Sequence, residues 1–135
     1  MKVIWLLILV VIASCTLPET NTISPKFNVE IEMLTSTLKG LLDFEDVEIE
    51  TQVTQTGSYC IHSLVIELIN PSIRLYDDMA KKELAKNAAL LSVNSIDNYQ
   101  DYDQFIVKFT QRRIIGDFSK KTWEEKILTL EDLKL

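Results

Sequence analysis

The chain has 135 residues, of which 47% are apolar and 25% charged, with three glycines and three prolines, a composition that suits one ordinary folded core and not a disordered tail. Fourteen basic against 20 acidic residues give a formal net charge of −6, which repels phosphate backbones and anionic headgroups and excludes nucleic acid as a partner. A single histidine and two cysteines leave no material for a zinc site of the usual kind or for a catalytic centre built on two histidines.

In chain order, Lys2 precedes an apolar run over residues 3–13, too short for the roughly 20 residues of a membrane-spanning helix and suited to the hydrophobic part of a signal peptide. The tetrad Ile12-Ala13-Ser14-Cys15 that follows resembles the lipobox of bacterial lipoproteins. That resemblance implies cleavage before Cys15, a diacylglyceryl group on its sulfur, and a domain held to a bilayer of the cell envelope, outside the cytoplasm. Thr16 after the cysteine does not argue for inner-membrane retention, and which membrane receives the protein stays open. Lipidation removes Cys15 from disulfide chemistry and leaves Cys60 a lone thiol in an apolar stretch, a buried small hydrophobe; ordinary secretory cleavage with a Cys15–Cys60 bridge is the alternative. The division expected is a signal peptide over 1–14, a lipidated start and polar, proline-containing tether over 15–25, and a single domain over 26–135.

Within that domain Phe27, Ile31, Leu34, Leu38, Leu41 and Leu42 recur at spacings of three and four and predict a first helix over 27–42. Val47, Ile49, Thr51 and Val53 then alternate with polar residues as in a half-buried strand, Gly57-Ser58 supplies a turn, and Tyr59–Ile69 is an apolar run that closes a hairpin before Asn70-Pro71. A second helix over 72–94 carries the stripe Leu75, Met79, Ala80, Leu84, Ala88 and Leu91 opposite Lys81, Lys82 and Lys86, with Ser72 and Asp77 equally good caps. A polar loop over 94–103 leads to a strand containing Phe105, Val107 and Phe109, a Gly116-Asp117 turn, a fourth strand ending near Leu128, and a short capped turn from Thr129. The expected fold is α+β: an antiparallel sheet of about four strands in helix-hairpin-helix-hairpin order, two helices on one face and a polar face opposite.

Four features could carry chemistry. Strand alternation aligns Asp46, Glu48 and Glu50 on one face, where like charges call for cations such as Lys108, Lys120, Lys121 or Lys126 of the second hairpin. The loop over 97–103 gathers three aspartates with Tyr99 and Tyr102, amphipathic rings of the kind used in protein recognition; it lacks the glycine and spacing of an EF-hand calcium loop. Cys60 and His62 share a strand face about 7 Å apart, too far for direct proton transfer, so a histidine satisfied by a backbone carbonyl is expected. Arg112-Arg113, Lys120-Lys121 and Trp123 concentrate base and aromatic around the last turn and read as a solvated hairpin end, or as a contact for an anionic glycan or partner.

The sequence carries no glycine-rich phosphate loop, nucleophile elbow or Cys-x-x-Cys pair, and no cofactor or metal is implied. The function expected is therefore a non-enzymatic binding or assembly module, anchored to the bilayer through Cys15 and facing an envelope protein or polymer. Its candidate contact residues are Asp46, Glu48, Glu50, Tyr99 and Tyr102. A small hydrolase working with carboxylates alone, or an acidic inhibitor or immunity-type protein, are the alternatives.

Overall fold

The computed structural model describes residues 22–72 and 78–135. The signal peptide, the lipobox with Cys15, most of the tether, and Leu75 and Asp77 of the second helix lie outside the described residues. The elements are α1 (Ile31–Leu41), β1 (Asp46–Thr56), β2 (Tyr59–Ile69), α2 (Asp78–Asn94), a 3-10 turn (Tyr99–Asp101), β3 (Gln104–Ile115), β4 (Phe118–Leu128) and α3 (Leu130–Leu133).

Both hairpins form where glycine permits. Gly57 and Gly116 each occupy the first of two turn positions with φ near +60°, matching the tight turn whose twist fits antiparallel strands. The four strands make one sheet in the order β1-β2-β3-β4. The antiparallel expectation is corrected at its centre: β2 and β3 run parallel, with Ser63 opposite Gln104 and Ile69 opposite Thr110. The physical reason is the intervening helix, which returns the chain to the end of the sheet where β2 began; a parallel pair needs such a crossover. The sheet is thus mixed, and α3 adds a third helix to the expected order, its Thr129 and Asp132 closing a reciprocal capping box.

One sheet face carries the core. Leu64, Ile66 and Leu68 of β2, Phe105, Val107 and Phe109 of β3 and Leu128 of β4 pack with Leu34 and Leu38 of α1, Ala85, Ala88, Ala89 and Val93 of α2, and Leu133 of α3. In α2 the buried stripe is Lys81, Ala85, Ala88, Ala89, Ser92 and Val93, rotated from the expected one, with Met79 exposed and Leu84 and Leu91 half-buried. Small side chains let the helix axis approach the sheet, and the leucines fill its flanks. Lys81, expected in water, is buried and donates to Glu124 of β4 at 2.7 Å.

The second face departs from the expected polar surface. Register places Asp46, Glu48 and Glu50 there, with Val65, Glu67 and Ile69 of β2 and Ile106, Lys108 and Thr110 of β3. Val65, Glu67, Ile69, Ile106 and Thr110 are buried; the β4 margin, with Trp123, Glu125 and Ile127, is exposed.

Because β2 and β3 are parallel, the hairpin turns lie at opposite ends of the sheet. Beyond the Ile69–Thr110 pairing, β3 and β4 continue as a two-stranded ribbon from the pair Gln111–Thr122 to Ile115–Phe118. The described start of the chain sits at the other end. There Phe27 bridges Ile96, Asn28 N–H donates to Ser95, and Asn98 binds both Lys26 N–H and the Ser24 carbonyl. Ile23 and Ser24, assigned to the tether by their composition, are therefore tied to the domain.

Candidate functional site

The second sheet face holds the most concentrated chemistry, and Glu67 is its centre. This carboxylate is 4% exposed in the middle of a strand that is otherwise apolar there, so burial alone pushes its pKa up. Two donors overcome that cost. Lys121 Nζ lies 2.7 Å from Oε1 and Thr110 Oγ1 donates to the same oxygen at 2.7 Å, with Lys108 adding attraction, and together they hold the carboxyl below its ordinary range.

Glu48 stands directly opposite Glu67 across β1 and β2, and Arg112 directly opposite Lys121 across β3 and β4. Each pair alone would repel. The two interlock instead: Arg112 Nη2 reaches Glu48 Oε1 at 3.3 Å while Lys121 takes Glu67. Trp123, 61% exposed, lies beside this arrangement, and Glu67, Lys108, Lys121 and Trp123 line a shallow depression of about 330 Å³.

The acidic row is assembled on one face as alternation implies, with different partners from those expected. Glu48 pairs with Arg112, Asp46 accepts from the Val47 amide at 2.8 Å, and Glu50 is exposed with no ion pair among the described residues. Lys126 turns to the helix-covered side, toward Asp78 and Glu124.

Tyr102 is not a surface residue. It is 2% exposed, packs on Phe105 with ring centroids 6.4 Å apart, and its hydroxyl meets Thr51 at 3.2 Å; burial raises its pKa. Tyr99 is half-buried against the core. The loop aspartates are spent on bracing: Asp97 accepts from Asn28, Asp101 from Asn98, and Asp103 from the His62 amide at 2.7 Å. Among the described residues no group of three His, Cys, Asp or Glu could hold a metal ion.

Cys60 is a half-buried free thiol. His62 falls on the core-facing side of β2, and its Nδ1 is buried with no hydrogen-bond partner among the described residues, where a backbone carbonyl was expected.

Glu67 and Thr110 escaped the sequence reading, although a signal existed: one carboxylate inside Leu64-Val65-Ile66-Glu67-Leu68-Ile69 is an anomaly that demands a partner. No known family model matches the chain, and neither a curated protein nor a solved structure matches it.

Proposed function

We propose that this chain is a lipid-anchored envelope protein that acts by binding, with the exposed margin of the second sheet face as its contact surface for an envelope protein or polymer. The lipobox supports the anchor. The observation that carries the binding mode is Trp123, exposed beside a carboxylate already paired with Lys121 and Thr110. A carboxyl held ionised in this way has no proton to give and so is a poor general acid, while the exposed indole offers a partner a large amphipathic surface. Glu125, the same-face neighbour of Trp123 on β4, adds a charge that selects orientation.

The test is a photo-crosslinking side chain placed in the full chain in cells, at position 123 and, for comparison, at exposed Glu83 on α2. A discrete adduct formed from position 123 only, and weakened by Glu125→Lys, is the expected result. Equal labelling from both positions removes the surface assignment. Mass spectrometry of the same purified protein checks the anchor, which requires a diacylglyceryl-modified Cys15 as the first residue.

A further inference from the structure

The ribbon at the end of β3 and β4 carries a pattern that the binding surface above does not use. Ile114, Ile115 and Phe118 at its tip are 84%, 63% and 80% exposed, three large apolar side chains around one turn. Behind them stand two cross-strand pairs of cations, Arg113–Lys120 and Arg112–Lys121. Arg112 and Lys121 are neutralised by Glu48 and Glu67, but Arg113 and Lys120 make no ion pair among the described residues.

Pairing register puts Gln111 with Thr122, Arg113 with Lys120, and Ile115 with Phe118 on one face, in that order from base to tip. Gln111, Arg113, Lys120 and Thr122 line a shallow hollow of about 170 Å³. Two like charges directly across a ladder destabilise it unless an anion joins them. Successive same-face rows lie roughly 7 Å apart. That spacing matches the depth, about 5–10 Å, to which interfacial apolar groups enter a bilayer while cations remain among the headgroups.

We propose that this tip is a membrane-contact element that inserts Ile114, Ile115 and Phe118 into the surface of an anionic bilayer, with Arg113 and Lys120 binding lipid phosphates. The net charge of −6 argues against anionic membranes only if charge acts as a whole. Screening limits its reach to about 8 Å at physiological salt, and the overhanging ribbon is roughly 16 Å long, so Arg113 and Lys120, set against the single carboxylate of Asp117 in the turn, leave the tip a net positive charge of its own. The inference stands on the ribbon alone and does not require the Cys15 lipid.

The test reads position 118 directly. In the full chain carrying Trp5→Phe and Trp123→Phe, Phe118→Trp places the only indole at the tip, and its emission is followed on adding phosphatidylcholine vesicles with or without phosphatidylglycerol. The expected result is a blue shift, with quenching by brominated acyl chains, on the anionic vesicles only. Arg113→Gln with Lys120→Gln, both exposed and remote from the core, should cut the blue shift on anionic vesicles by tenfold or more, whether or not the Cys15 lipid holds the chain to them, at an unchanged or raised melting temperature. A shift of equal size on neutral vesicles, or one that survives the double substitution, overturns the role of the cations. Vesicle binding without any shift places attachment at another part of the chain, and a shift produced only by an added protein makes the tip a protein contact; either result overturns the proposal.

Discussion

At Glu67 the cost of removing a carboxylate from water is met by one ammonium and one hydroxyl on a single oxygen. Glu67→Ala leaves the buried Thr110 hydroxyl without its acceptor, and a loss of about 1–3 kcal/mol is expected in urea unfolding. This carboxylate, with Glu124 on the helix-covered face and Asp132 in the α3 cap, sets an acid limit. Folded pKa values of Glu67, Glu124 and Asp132 lie below their ordinary values of 4.5, 4.5 and 3.8, so their contribution is complete above those values and lost as pH falls through the folded ones. The urea midpoint should therefore hold level from neutrality to about pH 5 and then fall, less steeply in Glu67→Gln. Alternation along β1 was enough to put Asp46, Glu48 and Glu50 on one face. It could not name Arg112 as the partner of Glu48, because that contact spans β1 and β3 and depends on how far β3 overhangs β2. Tyr102 was legible as an amphipathic ring and illegible as a buried one, since its hydroxyl is satisfied by Thr51 from a distant strand.

Helix α2 shows what periodicity leaves out. A stripe of leucines and a stripe of alanines compete for the core side, and the tight approach favoured by Ala85, Ala88, Ala89 and Ser92 decides it. Ala88→Leu should consequently destabilise by about 1–3 kcal/mol through overpacking, whereas Met79→Ala, on the exposed side, should stay within about 0.5 kcal/mol of the parent in thermal or urea unfolding. Turns and strand limits were plain from Gly57 and Gly116. The parallel direction of β2 and β3 was written in the same residues in another way. Leu64-Val65-Ile66 and Phe105-Ile106-Val107 are continuous apolar runs, the mark of strands buried on both faces, while β1 alternates as an edge strand with one wet face does. The pattern within each strand carries its position, and the contrast between central and edge strands carries its direction.

For the molecule as a whole, stability is graded along the sheet. β2 from Ser63 onward and the first half of β3 are buried on both faces, while residues 113–120 form an exposed ribbon held to each other; at its base Arg112 is tied to Asn70 and Glu48, and Lys121 to Glu67. Hydrogen exchange should reflect this, with amides of Leu64, Ile66 and Val107 opening only in global unfolding and those of residues 113–120 exchanging through local opening at far lower free energy. Uniform protection along β3 would contradict it. The parallel central pair has one more consequence, which concerns distance. With the described start of the chain tied beside Tyr102 and the ribbon tip at the far end of the 12-residue strand β3, the two lie about 40 Å apart, the length of a strand. Were the chain held by its start, as the proposed anchor requires, the tip would stand off the anchoring surface with the domain upright and meet that surface with the domain tilted; lengthening the β3–β4 ribbon by whole two-residue steps would change that distance without touching the core.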